Sequence, residues 1–115
     1  MKYLGIDYGE KHIGLAIGND ALKIATPFGI VHHNVGAGHV LPKIQKIIQE
    51  QKIDKIIIGL PKGFRGETEQ TRKTRDFAKN FDNFEFADER FTSKIAQNHA
   101  SAATIILQDY LDMLR

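Results

Sequence analysis

The chain opens with short apolar runs interrupted by small and polar residues. Lys2–Tyr8 carries Tyr3, Leu4 and Ile6 and reads as a strand. Residues 12–18 (His-Ile-Gly-Leu-Ala-Ile-Gly) read as a second. The four residues between them, Tyr8-Gly9-Glu10-Lys11, suit a hairpin turn containing Gly. Residues 23–32 predict a third strand with a bend at Pro27, so the start resembles an antiparallel meander. The period then changes. Val40, Leu41, Ile44, Ile47 and Ile48 recur at helical spacing and predict a helix over 39–51. Residues 54–59 (Asp-Lys-Ile-Ile-Ile-Gly) carry an unbroken apolar run at Ile56-Ile57-Ile58, the pattern of a strand covered on both faces and hence parallel. Residues 60–66 read as a loop. Residues 67–81 read as a polar helix with Thr74, Phe77, Ala78 and Phe81 as its inward stripe, and with Glu67 and Glu69 in a first turn that suits the helix dipole. Residues 84–87 predict a short strand. Residues 92–114 predict helix, with Ala103, Ile106, Leu107, Tyr110, Leu111 and Leu114 facing the core. Three strands followed by helix-connected strands mean an α/β fold: a mixed sheet with helices on its faces.

Composition adds few constraints, mostly exclusions. With 115 residues, 42% of them hydrophobic and 26% charged, one globular domain spanning 1–115 is expected. No apolar run approaches the ~20 residues of a membrane span. Asp7 arrives too early for a signal-peptide apolar region, and the absence of Cys fits a reducing compartment, so the expected localisation is cytoplasmic. Zero Cys excludes a disulfide framework, a thiol nucleophile and a thiolate zinc site. The net charge of +2 does not by itself mark a nucleic-acid binder, so the placement of the charges has to be read instead.

Two acids stand out. Asp7 ends a strand expected to be buried, where a carboxylate is costly unless paired or metal-bound. A turn-initiating Asp that caps amides before Gly9 is the plainer reading. Asp88-Glu89 follows the short strand at 84–87, ahead of Arg90-Phe91-Thr92. A helix N-terminus capped by Thr92 would explain part of this, but two acids exceed what capping requires. If the first and last parallel strands lie side by side, Asp7 and Glu89 meet at one sheet edge. There their hard oxygens would suit Mg²⁺ or Mn²⁺, and two such ions about 4 Å apart can promote phosphodiester hydrolysis.

The loop Leu60-Pro61-Lys62-Gly63-Phe64-Arg65-Gly66 leads from the most apolar strand into a helix, a natural anion site, although it lacks the Walker ending. Residues 61–80 hold six cations (Lys62, Arg65, Arg72, Lys73, Arg75, Lys79) against Glu67, Glu69 and Asp76, a local net charge of +3 that exceeds that of the whole chain. Phosphates would bind there, with Phe64 stacking on a base. A solvated helix face with Phe64 folded into the core is the plainer alternative. His32, His33 and His39 bracket a Gly-containing loop. A zinc site is conceivable, but no spacing is diagnostic, and they read as surface loop histidines. His12 reads as structural.

At these residues the chain resembles the YqgF/RuvX family, ribonuclease-H-like proteins described as nucleases of pre-16S ribosomal RNA and as Holliday-junction-resolvase-like. The resemblance runs essentially from Lys2 to Leu111. It rests on the stretch from Gly5 to Ala16, on Ile58-Gly59-Leu60-Pro61 with Gly66, on Asp88-Glu89-Arg90-Phe91-Thr92-Ser93, and on Ala102-Ala103-Thr104-Ile105-Ile106-Leu107-Gln108. It implies a five-stranded mixed sheet, three antiparallel strands and then parallel ones, flanked by helices. It also implies a metal site of Asp7, Glu89 and a third acid on the last helix. In this chain His99 stands where that acid is expected. Glu89 and His99 are only 10 positions apart, where the family has a longer, often Gly-rich and basic segment.

The expected function is therefore a Mg²⁺- or Mn²⁺-dependent nuclease of structured RNA acting in ribosomal RNA maturation, on an rRNA precursor or on the ribosome, as monomer or homodimer. Asp7, Glu89 and His99 would be catalytic and metal-holding. Lys62, Arg65, Arg72 and Arg90 would bind nucleic acid. The alternatives are a resolvase acting on branched DNA and a non-catalytic nucleic-acid- or ribosome-binding module. Asp7-Tyr8-Gly9 followed by Gly14 also resembles the first phosphate loop of actin-like ATPases, which need two such domains; a chain of 115 residues supplies one, so this reading is rejected.

Overall fold

A computed structural model describes residues 1–9, 11–32, 40–60, 68–88 and 99–114. Five strands, β1 (Lys2–Tyr8), β2 (His12–Asn19), β3 (Ala25–His32), β4 (Lys55–Leu60) and β5 (Phe84–Asp88), form one sheet in the order β3-β2-β1-β4-β5. The pairs β1–β2 and β2–β3 are antiparallel, and β1–β4 and β4–β5 are parallel. The helices are α1 (Val40–Glu50), α2 (Glu69–Ala78) and α3 (His99–Met113). The strand boundaries agree with the sequence pattern to within two residues. The segments 61–67 and 89–98 lie outside the described residues, and with them fall the phosphate loop, Glu89, Arg90, Thr92 and the start of the expected last helix.

Alternation along the strands sorts the core into two layers. Leu4, Ile6, Ile13, Leu15, Ile56 and Ile58 face α1 and α2, where they meet Val40, Ile44, Phe77, Ala78 and Phe81. Tyr3, Ala16 and Ile57 face α3, where they meet Ala103, Ile106, Leu107 and Leu111. The expected stripe is buried, Thr74, Phe77 and Ala78 on α2 and Phe81 three residues beyond its end, the helix stopping at Ala78 rather than at 81. Strand β4 is buried on both faces from Ile56 to Leu60, as its unbroken apolar run requires.

One topological expectation is corrected. The first and last parallel strands are not neighbours, because β4 lies between β1 and β5. The inner position goes to the strand that is apolar on both faces; β5, with Glu85 exposed, suits the edge.

Local chemistry sets the element ends. Thr68 caps α2: its side chain accepts from the Thr71 amide at 3.2 Å, and the Thr71 hydroxyl accepts from the Thr68 amide at 2.7 Å. Just past the end of α1, Lys52 has a φ of 55°, and the Ile53 amide reaches back to the Ile48 carbonyl at 3.0 Å. The β2–β3 register shifts between Leu15 and Ala16, leaving Phe28 as the extra residue beside Pro27. A bulge and a proline are both tolerated because β3 is an edge strand.

Candidate functional site

Asp7 is the carboxylate around which a site can be built. It stands one residue from the end of β1, is only 6% exposed, and faces Gly14 across the β1–β2 ladder. Alternation places its side chain on the α3 face of the sheet, the face that Gly5 presents to Leu107 and Ala103. The close approach of α3 depends on small residues. A Cβ added at Gly5 would lie 2.8 Å from Leu107 Cβ, and one at Gly18 would lie 2.9 Å from a Leu111 methyl and from the Ile24 carbonyl.

The helix runs antiparallel to β1. Tyr110 packs edge-on against Tyr3 with ring centroids 5.6 Å apart, while Ala103 and Leu107 sit over Gly5. One further helical turn, about 5.4 Å, brings the backbone of His99 to the level of Asp7. The carboxyl ends of β4 and β5 reach the same edge, where Leu60 is the register partner of Asp88. Glu89 follows Asp88 directly in the chain. The start of α2 is tied to this edge as well. Gln70 donates to the Tyr8 carbonyl at 3.0 Å, and the Tyr8 ring lies 4.5 Å from that of Phe77. The carboxyl ends of three strands and the starts of two helices therefore lie at the same edge of the sheet as Asp7, α3 on the face of Asp7 and α2 on the opposite face.

Among the sequence-predicted cations, Arg72 is exposed on the first turns of α2. Its neighbours on that helix are partly engaged: Lys73 pairs with Glu69 at 3.5 Å, Lys79 pairs with Asp76 at 3.3 Å, and the Arg75 guanidinium lies 5.7 Å from the centre of the Phe86 ring. Lys62, Arg65, Arg90 and Glu89 lie outside the described residues, as do His33 and His39, and His99 is described by its backbone alone. Among the described residues no three His, Asp or Glu side chains converge on one point. The chemistry of Asp7, a hard carboxylate oxygen, fits a hard divalent ion.

Two features escaped the sequence reading. His32 is not a loop residue: it ends β3 as the direct partner of His12. Only the hairpin register, not the spacing, could have revealed this. At the far end of α3, Lys55 and Glu85 pair at 3.3 Å beside Tyr110. The Tyr110 hydroxyl, foremost, and Lys55 hold the Glu85 carboxyl below its ordinary range against the effect of burial. Burial, and then Glu85, push the Tyr110 hydroxyl up. Burial opposes the Lys55 charge, but Glu85 and Tyr110 outweigh it and raise its pKa. This cluster fastens the C-terminal end of the helix whose other end approaches Asp7.

The model of the RuvX family, described as Holliday junction resolvase, matches residues 1–101. The chain belongs to the RuvX family. It is 36% identical over 135 residues to the "Putative pre-16S rRNA nuclease" of Sulfurihydrogenibium sp. (strain YO3AOP1), covering 98% of this chain and 91% of that one. To the protein of the same description from Mycoplasmopsis synoviae (strain 53) it is 33% identical over 137 residues, covering 100% of both. Both alignments are longer than the RuvX-family chain's 115 residues, so these relatives carry residues that it lacks. Among solved structures it is similar to Thermus thermophilus RuvC in complex with a Holliday junction substrate. The TM-score is 0.64 at 13% identity, over 96% of this chain and 93% of that one. At that identity the likeness speaks for the fold, which is ribonuclease-H-like. No helix among the described residues is long and apolar enough to cross a membrane.

Proposed function

We propose that this protein is a metal-dependent endonuclease, one domain over 1–115, that hydrolyses phosphodiester bonds of structured RNA in the 5′-end maturation of pre-16S ribosomal RNA in the cytoplasm. The observation that carries the proposal is Asp7, a carboxylate 6% exposed at the carboxyl end of the central strand β1, in a chain whose relatives are described as pre-16S rRNA nucleases. Asp7, Glu89 and His99 are the residues that would hold Mg²⁺ or Mn²⁺. When bound, such an ion supplies an activated water and a counter-charge for the leaving oxygen. Arg72, with Lys62, Arg65 and Arg90, would hold the phosphate backbone, which fixes register without reading sequence. The start of α2, which carries Arg72, is fastened through Gln70 to the carbonyl of Tyr8, the residue after Asp7. The likeness to RuvC bound to a Holliday junction favours a second reading, cleavage of branched DNA with the same residues.

The test is incubation of the full chain with pre-16S RNA and with a four-way DNA junction, in Mg²⁺, in Mn²⁺ and in chelator. Cleavage of the RNA that stops with chelator, with Asp7→Asn and with Glu89→Gln is the expected result. Junction cleavage alone moves the assignment to DNA. Binding without metal-dependent cleavage makes the protein a non-catalytic nucleic-acid- or ribosome-binding module. A Glu89→Gln protein that cuts as fast as the parent removes Glu89 from the site.

A further inference from the structure

At the open end of the β2–β3 ladder, His12 and His32 are direct register partners. Their Nδ1 atoms are 2.7 Å apart, with ring centroids at 4.7 Å and planes crossing at 88°. At that separation one ring nitrogen donates and the other accepts, so a single proton bridges two nitrogens that each have a lone pair in the alternative tautomer. His32 is exposed and His12 half-buried, so both rings are within reach of solvent. His12 is two residues from Gly14, the partner of Asp7, which puts the pair on the α3 face of the sheet but about 7 Å further along β2. The nuclease assignment makes no use of it.

We propose that His12 and His32 form a binding site for one borderline transition-metal cation, of the class of Zn²⁺, Ni²⁺ or Cu²⁺, separate from the hard-cation chemistry of Asp7. Opposed side chains on paired strands start about 5 Å apart at Cβ, so the backbone already supplies a two-toothed ligand. Two metal–nitrogen bonds of about 2.0–2.1 Å at a tetrahedral angle need nitrogens roughly 3.4 Å apart, which small rotations of these rings provide. Both rings then take the Nε2–H tautomer and turn their Nδ1 lone pairs to the ion. A neutral pair gains the metal without losing a proton, and waters complete the coordination. Imidazole nitrogen selects these ions over Mg²⁺, with Cu²⁺ bound most tightly. The bound ion would clip edge strand β3 to β2 at the opposite end of the ladder from Gly18 and Ala25.

Calorimetric titration of the full chain with Zn²⁺, Ni²⁺ and Cu²⁺, in excess Mg²⁺ at neutral pH, tests this. One ion per chain is expected, with Cu²⁺ tightest and with a Cu²⁺ resonance spectrum showing two nitrogen ligands. Thermal unfolding should shift upward by several degrees at saturation. His12→Ala and His32→Ala should each weaken binding roughly tenfold or more and abolish the shift. His32 is exposed, so His32→Ala keeps the test decisive if His12→Ala folds poorly. Unchanged affinity in both variants, loss of binding only in His33→Ala or His39→Ala, displacement by Mg²⁺, or no binding tighter than millimolar would each overturn the proposal.

Discussion

Gly5 and Leu107 meet where α3 crosses β1, so closely that a Cβ on Gly5 would stand 2.8 Å from Leu107 Cβ and 3.1 Å from the Ala103 carbonyl oxygen. Neither neighbour is the far end of a flexible side chain, so Gly5→Ala must push the helix off the sheet. A loss of about 1–3 kcal/mol is expected, read from the shift in urea midpoint. The same displacement moves the start of α3 relative to Asp7, so cleavage should fall further than the lost stability explains.

Asp7→Asn keeps the shape of the side chain and removes its charge. With Asp7 as a metal-holding group, cleavage should drop about 100-fold or more, equivalent to roughly 3 kcal/mol of barrier. Nucleic-acid affinity measured in chelator should hold. An unaltered rate would exclude Asp7 from the chemistry.

Arg72 is exposed on α2, whose start is tied to the Asp7 edge. As a phosphate contact, Arg72→Ala should weaken RNA binding across sequences alike and reduce the salt slope of log affinity by about 1. An unchanged slope in a filter-binding series at several salt concentrations would place Arg72 outside the interface.

Glu85 carries a pH dependence whose sign is fixed by its neighbours. The Tyr110 hydroxyl and Lys55 hold its folded-state pKa below the ordinary 4.5, so it contributes stability above that pH and loses it as pH falls through the lowered folded value. Both partners are partly exposed, and a contribution of about 0.5 kcal/mol is the expected scale. Denaturant unfolding from pH 7 down to pH 3 should show Glu85→Gln less stable at neutral pH and converging with the parent in acid.

Lys52 occupies the left-handed region just past the end of α1 with a φ of 55°. Glycine has no Cβ penalty there, so Lys52→Gly should raise stability by about 0.5–1 kcal/mol, seen as a higher urea midpoint at constant slope. A fall would mean that the added freedom of the unfolded chain outweighs the relieved strain.

The order of elements and the buried stripes were legible in the sequence because period 2 and period 3.6 are local properties. Tyr3, Leu4 and Ile6 had to straddle a sheet, and Phe77 and Ala78 had to share a helix face whatever lay opposite. The unbroken apolar run at Ile56, Ile57 and Ile58 likewise announced a strand covered on both sides. Asp7 was visible as a charge at the end of such a strand. Which strands adjoin was not visible, since adjacency depends on long-range packing: β4, not β5, took the place beside β1. The cap on α2 was missed because Thr71 does the work usually given to Glu or Gln. The facing of His12 and His32, twenty positions apart, and the grouping of Lys55, Glu85 and Tyr110 were likewise beyond any local pattern. Sequence determined which residues must be buried and which charge stood at a strand end. Only the tertiary structure decided what each one faces, because register and helix docking are fixed by contacts between residues far apart in the chain.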